Sequence, residues 1–272
     1  MLWVDAEGWS AGHWFVWGDW PLHIAQITVF AEKSPATWFA YHPVFADGPM
    51  TYPFLANLLA GITVRLGLPL FPALLGQSIV LSFLLLWILF LLGRRLLGSE
   101  GKAALGASLF FLSAGFGFLR YLSGPLGLPT EMVTPRPELD WFSGNVVVGM
   151  LLPQRGFLFG LTLSLGALYL LLRGLEERKR TWLVAAGLLV GLLPIAHAHS
   201  LIALAFLLGV FFVARFPDWK LLLWFALPAA ALGFLLIGIF LAGGVSRPGF
   251  AAWQIGYSAP NPIAWIFFWG EA

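Results

Sequence analysis

LLGQSIVLSFLLLWILFLL, residues 74–92, is apolar throughout except at Gly76, Gln77, Ser78 and Ser82. A helix crossing a hydrocarbon core about 30 Å thick needs roughly 20 apolar residues. This run supplies nearly that number, and LLLWFALPAAALGFLLIGIFLA at 221–242 supplies it again. The whole chain of 272 residues is 60% hydrophobic and 10% charged, where a soluble domain carries roughly a quarter charged residues. A soluble fold cannot hide that much apolar surface, so the expected fold is an all-α polytopic membrane protein.

The apolar stretches fall at about 51–67, 69–92, 103–121, 150–172, 182–196, 199–214 and 221–242, with an eighth starting near Pro262. Basic residues cluster between them in GRRLLGSEGK (93–102), RGLEERKR (173–180) and RFPDWK (215–220). Each connector follows the last by one helix pair, so a single zigzag places all three in the cytoplasm under the positive-inside rule. A formal net charge of +2 spread over such short clusters argues against nucleic acid as a partner. The absence of cysteine excludes disulfides, thiolate nucleophiles and thiolate metal sites.

The zigzag sends the loops 122–154, the HAHS region and 243–261 to the outer side. Residues 1–50 carry Asp5, Glu7, Asp19, Glu32 and Asp47 against a single Lys33, the reverse of a cytoplasmic flank. TYPFLANLLAGITVRLG (51–67) is short, holds Asn57 and Arg65, and is bracketed by Pro53 and Pro69. It is expected to lie as a helix in the outer interface. Residues 1–68 then form an extracytoplasmic loop with interfacial helices, and 69–272 a transmembrane bundle of about six to seven spans in the same single domain. MLWVDAEGW has neither the basic nor the apolar part of a signal sequence, and WIFFWGEA stops partway into an apolar run. Both ends are therefore expected to be truncated, with a first transmembrane helix missing.

Polar residues at the outer side are the candidates for chemistry. WGDWPLHIAQITVFAEK (17–33) reads as a short helix with Asp19 as N-cap and Pro21 in the first turn. On it Asp19, His23 and Gln26 share one face and Trp20, Ile24, Ile27 and Ala31 make the other. Asp19 either caps the helix with His23 facing water beside it, or binds a divalent cation or accepts a proton from a hydroxyl. Spacing alone does not choose between these.

HPVFADGPMTYP (42–53) reads as an irregular loop, in which Asp47 either shapes a turn or lines a site beside Asp19. The loop Ser123–Gln154 is long enough to fold over a pocket, and PQRG (153–156) follows it. There Gln154 and Arg155 stand at the mouth of a helix, where Arg155 either snorkels to the interface or grips a phosphate. In LLPIAHAHSLIAL (192–204), Pro194 interrupts the run and His197 and His199 follow at a turn. In a continuous helix residues i and i+2 point about 200° apart, so the pair does not chelate one ion; in an extended turn both rings can meet one substrate. Polar groups at membrane depth are expensive and mark function. No Walker loop, GxSxG elbow, HExxH or dinucleotide fingerprint is present.

An outer-face acid early in the chain, interfacial helices, YPFLANLLAGITVRLG ending in a glycine turn and a long helix ending in RRLLG form a pattern. It resembles the GT-C superfamily of integral-membrane glycosyltransferases, the group of protein mannosyltransferases and aminoarabinose transferases. The likeness covers mainly residues 17–121, with looser support from PQRG and HAHS. It implies a GT-C-like transmembrane helix bundle and a catalytic acid at Asp19. The implied donor is a polyprenyl-phosphate-linked sugar delivered from the lipid bilayer. A glycan, lipid or protein would be the acceptor.

In that reading Asp19 is the general base, and Arg155, aided by a histidine, stabilises charge on the leaving phosphate. His23, Asp47, Gln154, His197 and His199 join Arg155 in binding substrate. Trp20 follows Asp19 where some members carry a second acid, so use of a divalent cation at Asp19 stays open. The implied location is the plasma membrane of a prokaryote, as a multi-pass protein with its active site on the extracytoplasmic face. The alternatives are a transporter or flippase for a lipid or small solute, which would hold its ionisable groups near the bilayer midplane, and a non-catalytic membrane relative.

Overall fold

In the computed structural model, residues 2–5, 8–11, 16–44, 48–112, 146–151 and 154–242 are described. They are overwhelmingly helical. The exception is an antiparallel ribbon of two four-residue strands, β1 (Leu2–Asp5) and β2 (Gly8–Ala11), in which Leu2 pairs with Ala11 and Asp5 with Gly8. The all-α expectation did not include it. The eight α-helices among the described residues are α1 (Val16–Glu32), α2 (Leu55–Arg65), α3 (Leu70–Leu97), α4 (Glu100–Leu112), α5 (Arg155–Glu176), α6 (Arg180–Ala196), α7 (Ala198–Ala214) and α8 (Trp219–Leu236). A π-helical turn at Ile237–Leu241 continues α8.

Among the described residues, three helical stretches are long and apolar enough to cross a membrane: Leu70–Leu97 with 28 residues, Arg155–Glu176 with 22 and Phe216–Leu241 with 26. At about 1.5 Å per residue each exceeds the roughly 30 Å of a hydrocarbon core. The runs at 182–196 and 199–214 fall in helices of 17 residues each, α6 and α7. Of 103–121, only the part inside α4 is described, and the segment beginning near Pro262 lies outside the described residues.

α5 is the core of the bundle, with 56% of its apolar window buried against 11% in each of the other two long helices. Its sequence explains this position. Gly160, Gly166, Ala167 and Gly174 are small and buried, which lets neighbouring helices approach closely. A Cβ at Gly174 would stand 2.7 Å from the Leu183 side chain of α6. α6 packs on α8 by the same device: a Cβ at Gly187 would strike the carbonyl of Phe225, and one at Gly191 would lie 2.7 Å from Cβ of Leu232. Leu171, Leu183, Leu193, Leu222 and Phe225 fill the shared core. Large apolar side chains such as Phe83 on α3, Phe206 on α7 and Phe234 on α8 are exposed.

The three basic connectors lie together at one end. Arg95 from the first donates through Nε to Glu176 of the second at 2.8 Å, and Arg178 of the second pairs with Asp218 of the third at 3.8 Å. A consistent zigzag requires such a meeting. The opposite end carries the start of α5, the end of α6 and the turn after α8, with α1 and α2 packed there.

One local expectation is corrected. The first helix begins at Val16, so Asp19 lies inside its first turn and does not cap it. Pro21 is consequently inside the helix, where it offers no N–H to the carbonyl of Trp17. Its fixed φ of about −65° still suits helical backbone, which explains why the helix extends past it towards the N-terminus.

Candidate functional site

The site is built where α1 and α2 meet the non-basic end of the bundle. α1 packs Trp20 and Ile27 against Ala60 of α2 and Leu74 of α3. Gly61 lies so close to α1 that a Cβ there would stand 3.1 Å from the carbonyl of Ile27. This close approach carries the polar face of α1 onto Asn57. His23 and Gln26 are buried, so of the two readings left open by the spacing, the one in which His23 faces water does not hold. Asn57 Nδ2 donates to Nδ1 of His23 at 2.9 Å and to Oε1 of Gln26 at 2.5 Å.

A second polar link joins the interfacial helices to the bundle. Gln77 of α3 donates through Nε2 to the carbonyl of Ala56 at 3.0 Å, and its Oε1 accepts from Nη2 of Arg155. Arg155 is only 4% exposed. Its Nε and Nη1, together with Asn57 Oδ1 and Gln26 Nε2, are buried without hydrogen-bond partners. Among the described residues no carboxylate pairs with this arginine. Its charge nevertheless reaches His23. Burial first, and the Arg155 cation second, lower the His23 imidazole to about 4, and the hydrogen bond that Nδ1 accepts from Asn57 favours the same neutral form. His23 is therefore neutral at pH 7.

The helical turn between α6 and α7 supplies the third group. Pro194 does not end α6; the helix runs through it to Ala196, and the break comes at His197, whose backbone is extended with φ −164° and ψ 104°. That single residue caps both helices. Its Nδ1 accepts the Ser200 backbone N–H at 3.2 Å and lies 2.8 Å from the Ser200 hydroxyl. A backbone N–H can only donate, so in the neutral ring Nδ1 holds the lone pair and the proton sits on Nε2.

Burial, then the neighbouring His199, lower His197 to about 4. The ring stands on α5: a Cβ at Gly160 would lie 2.5 Å from His197 Cβ, and one at Gly156 would lie 3.4 Å from its Cδ2. Phe157 closes edge-on at 5.7 Å. The His197 and His199 rings are 5.4 Å apart; His197 is extended, whereas His199 stands in the first turn of α7.

These groups surround a cleft of about 1030 Å³ whose lining includes His23, His42, Asn57, Gln154, His197 and His199. Its walls are otherwise mostly apolar, from residues such as Phe157, Ile202, Ile237 and Leu241. Four of the expected site residues thus line one cleft, and Arg155 lies between two of its lining residues, Gln154 and Gly156. Asp47 lies outside the described residues, and of Asp19 only the backbone is described, one helical turn before His23.

Sequence reasoning left Asn57, Gln77 and His42 out of the site. Gln77 had a signal, since an amide inside an apolar run is costly unless bonded. Among the described residues no group of three or more His, Asp or Glu is placed to hold a metal ion. No family model, curated protein or solved structure matches the chain.

Proposed function

We propose that the chain is a polytopic membrane glycosyltransferase that moves a sugar from a polyprenyl-phosphate donor to an acceptor hydroxyl at the extracytoplasmic face. The observation that carries this reading is Arg155, a buried cation with two unpaired nitrogens beside a large, mostly apolar cleft. Leaving such a charge without a counter-ion is strongly unfavourable, and a ligand phosphate would supply one. The cleft opens among apolar helices, which suits a donor whose tail stays in lipid and whose head enters sideways.

In the proposed reaction the acceptor oxygen forms a bond to the anomeric carbon as the bond from that carbon to the phosphate oxygen breaks. The phosphate leaves with the bonding pair, and Asp19 takes the hydroxyl proton. Arg155 stabilises the charge on the leaving phosphate. Gln77 holds Arg155 in place, and His197 donates from Nε2. His23, held neutral, and Gln154 line the wall against the sugar.

The test uses purified protein in liposomes carrying polyprenyl-phosphate sugars, with candidate acceptors outside. Release of free polyprenyl phosphate coupled to a glycosylated acceptor supports transfer. Movement of intact donor across the bilayer, with no release, favours the flippase alternative instead.

A further inference from the structure

At the basic end of the bundle a separate groove of about 500 Å³ runs between α6 and α8. It is lined by Lys220, Leu223, Trp224, Leu227, Pro228 and Ala231 of α8 and by Val184 of α6. The α8 residues follow a single helical stripe, so the groove is a straight apolar track headed by one cation. A second cation stands at the same place: Arg180, one turn before Val184, stacks its guanidinium 4.7 Å from the Trp224 ring.

The charges at this end do not balance. The three connectors hold nine Lys and Arg residues against four carboxylates. All four carboxylates are taken: Glu100 by Arg94, Glu176 by Arg95, Glu177 by Arg173 and Lys179, and Asp218 by Arg178 and Arg215. Arg180 and Lys220 have no acidic partner among the described residues, and they sit together at the head of an apolar track whose Leu227 is 63% exposed. Two unpaired cations above a greasy groove match a negative head group with an acyl chain.

We propose that this groove is a binding site for an anionic glycerophospholipid, its phosphate between Arg180 and Lys220 and one acyl chain along Leu223, Leu227 and Ala231. The site lies at the opposite end of the bundle from the histidine-lined cleft and does not depend on the sugar-transfer reading. It runs along α8 from Lys220 to Ala231 beside Val184 of α6, and the far end of α6 and the turn after α8 wall that cleft, so lipid bound here holds together the two helices that shape it.

Native mass spectrometry of the detergent-purified protein, titrated with phosphatidylglycerol or phosphatidylcholine of identical chains, tests this. Two phosphate-facing cations predict about 10- to 30-fold tighter binding of phosphatidylglycerol. The double variant R180Q/K220Q should bind both lipids equally, and Leu227→Trp, which fills the track without changing charge, should weaken both. Lys102→Gln, at the same end but away from the groove, should change neither. A wild-type protein without preference, a double variant that keeps it, or an equal loss with Lys102→Gln would overturn the proposal.

Discussion

Among the described residues Arg155 gives one hydrogen bond, from Nη2 to Oε1 of Gln77, and its buried Nε and Nη1 have no partner. Gln77 in turn is anchored on the carbonyl of Ala56. One amide therefore links the interfacial helix α2, the long helix α3 and the only charge at the mouth of α5 among the described residues.

Changing Gln77 separates positioning from charge balance. Gln77→Leu removes the hydrogen-bond partner that Arg155 has among the described residues, and a loss of about 1–3 kcal/mol is expected. Gln77→Glu supplies the missing counter-charge, so stability should rise while affinity for a phosphate-bearing donor falls. Thermal unfolding and donor binding measured on both variants check the opposite signs.

Arg155→Met tests whether the cation serves the fold or the ligand. Replacing an uncompensated buried charge with an apolar side chain of similar length is neutral or stabilising. The expected outcome is an unfolding temperature that holds or rises, with donor turnover reduced about 100-fold or more, the scale of losing one oxyanion donor. A large loss of stability would mean that Arg155 is part of the fold's own packing.

His197 has two separable duties. Its Nδ1 caps α7 through Ser200, which leaves Nε2–H as the donor that a ligand in the cleft would meet. Asn is as good a cap but has no group at the Nε2 position. His197→Ala should cost about 1 kcal/mol in stability, whereas His197→Asn should cost almost nothing. Both should lose turnover. Equal activity of His197→Asn and wild type would reduce His197 to a helix cap.

Acid should weaken the fold before it unfolds the bundle. His23 and His197 are held down to about 4 from an ordinary 6.5. Between those values the unfolded chain binds protons that the folded chain refuses, so stability falls as pH drops from 6.5 to about 4, and this contribution is flat below that. A melting series across this window should show the decline, and a His23→Phe/His197→Asn double variant should flatten it.

Close helix packing gives a last structural check. Gly160→Ala places a methyl against His197 and the Ser200 hydroxyl, which displaces the imidazole. A loss of about 1–3 kcal/mol is expected from overpacking, with turnover lost in parallel. Gly209→Ala, where nothing lies within 4 Å, should leave both unchanged.

What the sequence made legible follows from periodicity and charge. Residues 74–92 and 221–242 announce long apolar helices by length alone, and both lie in helices of spanning length. The connectors' shared end was legible because each basic cluster recurs after one helix pair, and the Arg95–Glu176 and Arg178–Asp218 pairs place them together. His23, Gln154, His197 and His199 could be gathered by the same zigzag without any contact being known. Asn57 could not, because its partners His23 and Gln26 are 34 and 31 residues away, and no local rule connects them. The start of α1 was misplaced because Asp followed closely by Pro is the usual signature of a helix start, and here packing of Trp20 and Ile27 against α2 and α3 sustains helix around it. The burial of His23 was hidden for the same reason: α1 has partners on two faces.

Single-turnover transfer from a polyprenyl-phosphate sugar, with wild-type protein and Asp19→Asn side by side and each shown by melting temperature to be folded, separates sugar transfer by Asp19 from every other reading of the cleft. Wild type is expected to release polyprenyl phosphate in step with acceptor glycosylation, while Asp19→Asn binds the donor with unchanged affinity and releases none above background. Release by Asp19→Asn at the wild-type rate would remove Asp19 as the base, and no release by either protein with any donor sugar would contradict the transferase reading itself.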